Sequence, residues 1–295
     1  MREVIVAVTA RAHQAVLDEA LPEVEVRLLP DGLDKAVFVI PAGEPGVTEA
    51  LPRIETLAVV QTLSAGTDWV EPYVPRWATL CSAVGSRDVP VAEWVMAALL
   101  APPARLLDAV RRPEWEDRRP GELHGQTVLI VGHGSIGRAV EARLAPFGAK
   151  VVGVASRARE GVHGIDELPD LIHAADAVVV LVPLSDATRG MFGAELFGRM
   201  RDGALFVNAG RGAVVDTDAL VAELERGRIR AILDVTEPEP LPAGHPLWDL
   251  ALAITPHHAG DSPQADERAV EFAVEQLGRF VRGEPLRNIV RDKML

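Results

Sequence analysis

The sequence predicts an α/β protein with two doubly wound parallel-sheet units. Three observations carry that expectation. Short apolar, β-branched runs alternate with segments of helical spacing along almost the whole chain. The rhythm breaks at a charged, proline-bearing stretch, residues 111–121, and restarts at residue 127. The restart opens with a strand-like run that meets a glycine-rich turn and then a helical pattern.

In chain order, residues 4–8 read as a first strand, 11–20 as a helix and 24–28 as an alternating strand. A short strand over 37–40 is closed by Pro41 and the Gly43-Glu44-Pro45-Gly46 turn. A strand over 57–63 runs into Ser64-Ala65-Gly66-Thr67-Asp68, and 79–83 makes a further one. Residues 91–100 form a strongly apolar helix stopped or kinked at Pro102-Pro103. The 111–121 stretch reads as a crossing from the first unit to the second. After it, strands are expected over 127–131, 150–154, 177–182, 204–208, 231–235 and 252–255, with helices over 166–173, 193–200 and 217–226. The last long helix spans about 263–281, with Ser262 as N-cap, Pro263 at its first position and an apolar face of Ala269, Phe272, Ala273, Leu277 and Phe280.

A chain of 295 residues is long enough for two ordinary domains, and 48% hydrophobic with 25% charged residues are globular values. Forty-three acidic against thirty basic side chains give a net charge of -13, which repels phosphate backbones and argues against nucleic-acid partners. The single cysteine, Cys81, makes neither an internal disulfide nor a cysteine-based metal site and reads as a small buried residue. No metal site is expected. The apolar run at the N-terminus is too short for a signal peptide, and no stretch approaches the ~18 apolar residues of a membrane span. A cytoplasmic protein without a membrane partner is therefore expected.

The stretch Thr127-Val128-Leu129-Ile130-Val131-Gly132-His133-Gly134-Ser135-Ile136-Gly137 has the order of a dinucleotide-binding turn. Gly132 allows the tight turn, Gly134 lets backbone approach a pyrophosphate, and Gly137 lets the helix pack on the strand. The N–H groups at that helix start, with its dipole, favour phosphate. An NAD site usually places an acid about 20 residues on, against the ribose hydroxyls. Here Ala155 stands at that point, followed by Ser156, Arg157 and, two residues further, Arg159. A carboxylate would repel a 2′-phosphate, whereas a hydroxyl and guanidinium bind one. NADP(H) is the expected cofactor, with NAD(H) second.

Three later strand ends carry reactive residue types. They are Asn208-Ala209-Gly210-Arg211-Gly212, Asp234-Val235-Thr236-Glu237-Pro238-Glu239-Pro240-Leu241 and Thr255-Pro256-His257-His258-Ala259-Gly260. Ligands of open α/β sheets bind beyond the carboxyl ends of strands, so these loops are expected near the nucleotide. Arginine grips carboxylates or polarises a keto oxygen, histidine exchanges protons near neutral pH, and a carboxylate orients imidazolium.

With these residues in view, the chain resembles the D-isomer-specific 2-hydroxyacid dehydrogenase family, of the glyoxylate/hydroxypyruvate reductase and phosphoglycerate dehydrogenase kind. Matching segments include Leu63-Ser64-Ala65-Gly66-Thr67-Asp68, Val91-Ala92-Glu93-Trp94, Leu123-His124-Gly125, Leu181-Val182-Pro183-Leu184, the run over 200–212 and His245-Pro246-Leu247-Trp248. The resemblance implies that Arg211 binds substrate, Glu239 is the glutamate partner and His257 is the acid/base. Glu239 matches better than Glu237 by its distance from Asp234, and His257 better than His258 because it directly follows Pro256. Asp234 resembles the residue that meets the nicotinamide carboxamide. Ser64, Ala65 and Gly66 resemble the loop that receives the substrate carboxylate through backbone N–H groups, with Val182, Pro183, Ala209, Gly210 and Gly260 joining Ser135 and Ile136 around the cofactor.

The family fold further implies a Rossmann-like nucleotide domain, 99–262, inserted into a flavodoxin-like substrate-binding domain of 1–98 and 263–295. Crossings near Leu100 and Asp261 would form a hinge, and a homodimer would be built on the nucleotide domain around the 91–100 helix. Some relatives carry a cation after the strand equivalent to 37–40. Pro41-Ala42-Gly43 offers none, which favours a small 2-keto acid such as glyoxylate or hydroxypyruvate. The family's C-terminal regulatory extension is not expected after Leu295. Rival readings are a formate or phosphite dehydrogenase, and a nucleotide-sensing scaffold like the corepressors that reuse this fold.

Overall fold

The computed structural model describes residues 5–8, 10–29, 33–41, 46–111 and 119–293. The chain forms two compact units, one of Met1–Arg87 with Ser262–Leu295 and one of Asp88–Asp261, so the second is an insertion in the first.

In the first unit, apolar runs too short for helices form β1 (Ile5–Val8), β2 (Glu25–Leu28), β3 (Phe38–Ile40), β4 (Val59–Gln61) and β5 (Thr79–Cys81). They pair in parallel in the order β2-β1-β3-β4-β5, the flavodoxin order. Both faces of β1 are covered, which is why it is apolar throughout rather than alternating. One face packs Leu17 of the Arg11–Ala20 helix and Ala273 and Leu277 of the Pro263–Arg282 helix onto Val6, Phe38 and Ile40. The other packs Leu51, Ile54 and Leu57 onto Ala7, Val39 and Val60. Ser262 caps the long helix by accepting from the Ala265 amide at 3.2 Å. Cys81 is buried, and desolvation, with Asp292 adding to it against a Gln276 hydrogen bond, pushes its thiol up to about 11.

In the second unit, β6 (Thr127–Val131), β7 (Lys150–Ala155), β8 (His163–Gly164), β9 (Ala177–Val180), β10 (Leu205–Asn208), β11 (Arg230–Leu233) and β12 (Ala253–Ile254) are all parallel. Their order β8-β7-β6-β9-β10-β11-β12 is the dinucleotide-binding order. The order in which the chain adds strands reverses between β6 and β9, so a crevice opens beyond Val131 and Val180, where Gly132 and Leu181 begin their loops.

Three expectations need correction. The first sheet is mixed: a final strand, Ile289–Arg291, lies antiparallel beside β5. The first crossing, expected at 98/99, falls at Arg87/Asp88. The apolar helix there starts at Asp88, and its Val91, Val95, Met96 and Leu99 are buried with Val128, Ile130, Val140 and Leu144 of the nucleotide-type sheet and its first helix. Each such side chain buried contributes ~1.5–3 kcal/mol, which ties the helix to that unit. The helix expected over 166–173 is broken into a four-residue turn of α-helix, Leu168–Leu171, between 3₁₀ segments. Much of the 111–121 crossing lies outside the described residues, as do Val4 and the Ala42 to Pro45 part of the turn after β3. Among the described residues, no helix is long and apolar enough to cross a membrane.

Candidate active site

Three glycines define the turn after β6, and each faces different surroundings. At Gly132 (φ +105°) a Cβ would stand 2.6 Å from the Leu181 carbonyl carbon, and at Gly137 it would stand 2.7 Å from the Gly132 carbonyl oxygen. At Gly134 a Cβ would meet no atom within 4 Å. Two glycines are thus required by the protein's own packing, whereas the middle one faces open space, as a turn that admits a phosphate should. The following helix, Ser135–Leu144, makes its first internal bond from the Arg138 amide to the Gly134 carbonyl oxygen, so the Ser135, Ile136 and Gly137 amides precede it. The Ser135 hydroxyl donates to Asp88, which leaves its backbone N–H for any anion. These features fit a dinucleotide.

The loop after β9 holds Val182 and Pro183, and it is wedged between two glycines. A Cβ on Gly210 would come 2.8 Å from the Val182 carbonyl oxygen, just as one on Gly132 would strike the Val182 amide nitrogen. Gly210 and Ala209 leave β10 through a turn organised by Asn208, which is buried. Its Oδ1 accepts from the Gly210 amide at 3.0 Å and its Nδ2 donates to the Arg211 carbonyl at 3.1 Å. Arg211 is thereby held half-buried, with Nη1 donating to the Gly210 carbonyl at 2.9 Å. Gly212 presses on the next loop: a Cβ would lie 1.9 Å from the Thr236 carbonyl oxygen. No other residue fits there, and this close approach joins the Arg211 loop to the one that carries Glu239.

Glu239 and His257 meet directly, with Glu239 Oε1 2.6 Å from His257 Nδ1. A carboxylate only accepts, so Nδ1 carries the proton and Nε2 is left for exchange. Both side chains remain accessible, at 45% for His257 and 42% for Glu239. His257 adopts φ +57°, a left-handed conformation that costs a non-glycine residue about 1–2 kcal/mol. Asp234, 2% exposed, supplies the compensation. Its carbonyl accepts from the His257 amide at 2.8 Å. Its carboxylate accepts from Thr255 Oγ1 at 2.5 Å, from the His258 amide at 2.8 Å and from the Ala259 amide at 3.0 Å. Trp94 Nε1 donates to the same Thr255 hydroxyl at 3.1 Å. His258 enters this scaffold through its backbone, and its side chain is exposed. Asp234 therefore works first as the foundation of the histidine turn. The roles of Thr255 and Trp94 depend on partners from distant elements, which no local pattern in the sequence signals. Gly260 follows on the same turn and is half-buried.

At the other end of the crevice, Ser156, Arg157 and Arg159 are all exposed on the loop after β7. Arg159 is fixed, for its Nη2 bonds the ring and carbonyl of His133. In the first unit, the Ser64-Ala65-Gly66 loop follows β4. Its carbonyls are engaged, Ser64 by Thr62 Oγ1 at 2.8 Å and Gly66 by Ser64 Oγ at 2.7 Å and Trp69 Nε1 at 3.2 Å. Among the described residues, the Ser64, Ala65 and Gly66 amides make no internal hydrogen bond.

The family model for the NAD binding domain of D-isomer specific 2-hydroxyacid dehydrogenases matches residues 94–259, more than half of the chain. The chain belongs to that family. The D-3-phosphoglycerate dehydrogenase of Methanocaldococcus jannaschii is 32% identical over 97% of this chain, which spans 59% of that enzyme's length. The glyoxylate/hydroxypyruvate reductase B of Salmonella schwarzengrund is 34% identical over 82% of this chain and 81% of that enzyme. Among solved structures, a D-isomer specific 2-hydroxyacid dehydrogenase of Xanthobacter autotrophicus Py2, in complex with NADPH and MES, superposes with a TM-score of 0.86 at 29% identity, covering 98% of each chain. Within this family, the matched segment contains every strand-end loop described for the second unit, from the glycine turn to the His257 turn.

Proposed function

We propose that the chain is an NAD(P)-dependent oxidoreductase that interconverts a small D-2-hydroxy acid and its 2-keto acid, with glyoxylate or hydroxypyruvate favoured and NADP(H) preferred. The observation that carries this reading is the His257–Glu239 pair on a turn braced by buried Asp234, in the unit whose glycine turn fits a dinucleotide. The nicotinamide, when bound, supplies or accepts the hydride at substrate C2. The residues of this chain supply the proton and the orientation. In reduction, His257 Nε2 donates a proton to the keto oxygen, and in oxidation the same nitrogen takes it from the hydroxyl. Glu239, on Nδ1, holds the ring in one tautomer and supports its positive charge. Arg211 contributes a fixed cation for the substrate carboxylate or keto oxygen. The amides of Ser64, Ala65 and Gly66 suit a carboxylate as acceptor, and the Gly132 to Gly137 turn suits the pyrophosphate.

NADP(H) is preferred because Ala155 leaves no carboxylate against a 2′-phosphate, and because Ser156, Arg157 and Arg159 share the exposed loop that follows. A homodimer and a cytoplasmic setting complete the proposal. Absorbance of NADPH and NADH at a series of 2-keto acids, with formate and phosphite as controls, tests it. Consumption of NADPH with glyoxylate or hydroxypyruvate is expected. Tight nucleotide binding without turnover of any of them would leave a nucleotide-sensing scaffold instead.

A further inference from the structure

The middle residue of the first G-x-G step is a histidine, and it does more than fill the turn. The His133 side chain is 6% exposed. Its ring lies against Gly153 of β7, where a Cβ would approach Cδ2 to 2.7 Å, and its amide donates to the Val154 carbonyl at 2.8 Å. Nε2 stands 2.7 Å from Glu141 Oε2 of the Ser135–Leu144 helix. Nδ1 stands 3.1 Å from Arg159 Nη2. A guanidinium only donates and a carboxylate only accepts. Both contacts are therefore satisfied by one form alone, the neutral ring with its proton on Nε2 and its lone pair on Nδ1. The same Nη2 also donates to the His133 carbonyl at 2.5 Å. Both Nη2 protons are used on His133, and among the described residues the Nη1 and Nε donors make no hydrogen bond.

Arg159 otherwise sits exposed in the loop after β7, three residues past Ser156. A free arginine there carries rotamer entropy that a ligand must overcome, and anchoring it beforehand removes part of that cost. We propose that His133, oriented by Glu141, is a positioning residue that presents Arg159 to the 2′-phosphate of an NADP-type nucleotide. The inference rests on the NADP(H) reading above. It adds a residue from the glycine turn, and one from the helix behind it, to the set that distinguishes the phosphorylated ribose from the plain one.

Calorimetric titration of the whole chain with adenosine 2′,5′-bisphosphate and with adenosine 5′-monophosphate tests it without turnover. The wild type should prefer the bisphosphate, and Arg159→Ala should remove most of that preference. Loss of one side-chain hydrogen bond predicts that His133→Leu weakens the bisphosphate about fivefold and leaves the monophosphate within about twofold. Glu141→Ala, on the exposed side of the helix, should weaken the bisphosphate in the same sense because it frees the ring to take the opposing tautomer. Neither change should have a further effect once Arg159 is alanine. Equal weakening of both ligands by His133→Leu, an unchanged bisphosphate affinity in Glu141→Ala, or an effect that persists in the Arg159→Ala background overturns the proposal alone. A wild type with no preference between the two ligands overturns the NADP(H) reading together with it. Glu141→Ala keeps the test decisive if His133→Leu fails to fold.

Discussion

Among the described residues, the second unit holds three histidine–carboxylate pairs of almost equal length, and two of them lie in opposite surroundings. His257–Glu239 spans 2.6 Å and His133–Glu141 spans 2.7 Å. The first histidine is 45% exposed and the second 6%. His257 gives Nδ1 to its carboxylate and has Nε2 left over among the described residues. His133 has both nitrogens engaged, Nε2 by Glu141 and Nδ1 by Arg159. On the proposed reading, a short contact to a carboxylate does not by itself mark the proton-exchanging histidine. The mark is the ring nitrogen that remains, and whether solvent and substrate can reach it. Backbone explains the contrast. His257 sits on a left-handed turn that Asp234 supports, whereas the His133 ring packs against the glycine of a neighbouring strand.

The sharpest way to break this comparison is to remove the imidazole of His257. Asparagine is the better replacement, since it tolerates positive φ. His257→Asn is expected to lower kcat by about 10²–10⁴, the usual worth of a general acid–base group, with nucleotide affinity nearly intact. His133→Leu is expected to act on the KM for NADPH and to leave kcat close to wild type. Steady-state kinetics of both variants decide the matter, and a loss of kcat in His133→Leu equal to that in His257→Asn would reverse the two assignments.

A smaller effect is expected at the support under His257. Asp234→Asn keeps the shape but turns one acceptor into a donor facing an amide, so one bond to Thr255, His258 or Ala259 is lost. An unsatisfied buried group costs about 1–3 kcal/mol, enough to lower Tm and to let the His257 turn relax. Thermal melts and kcat measured on the same preparation should fall together. A variant that melts lower with kcat unchanged would show that the turn holds its shape without the carboxylate.

The parts legible in the sequence are those whose cause is local. The glycine turn could be read because each glycine answers a need within a few residues, and the G-x-G-x-x-G spacing states it directly. Arg211, Glu239 and His257 were legible through their strand-end loops and through the family resemblance, and the pair at His257 was expected. What escaped depends on partners far apart in sequence. His133 finds its bonds eight and 26 residues away, and Thr255 is reached by Trp94 from 161 residues away. The Asp88–Leu100 helix shows why a crossing point is hard to place. It is apolar on nearly every face, so its sequence says that it is buried but not which sheet covers it. Ile289–Arg291 was missed for the opposite reason, being a short edge strand with exposed apolar residues and no alternation.

The smallest effect belongs to a third pair, His163–Glu167, which gives the comparison its baseline. The two side chains meet at 2.7 Å with 43% and 45% exposure, four residues apart at the start of a 3₁₀ segment. Glu167 also accepts from the Gly164 amide at 2.8 Å. The His163 hydrogen bond, and then that of Gly164, hold the Glu167 carboxyl below its ordinary 4.5. A carboxyl with a lowered folded-state pKa adds stability above its unfolded value, and that stability is lost as pH falls through the folded value. Because the pair is open to solvent, the gain is small. Glu167→Gln should leave kcat and both nucleotide affinities unchanged, with a Tm slightly below wild type near neutral pH. The two melting curves should converge as pH falls through the lowered folded-state value of Glu167, below which the wild-type carboxyl is itself protonated. A gap in Tm that widens in acid would mean that the contact works through shape rather than charge. A fall in kcat would mean that an exposed pair of ordinary length reaches the reaction after all, and that the leftover ring nitrogen is not what separates His257 from the other two.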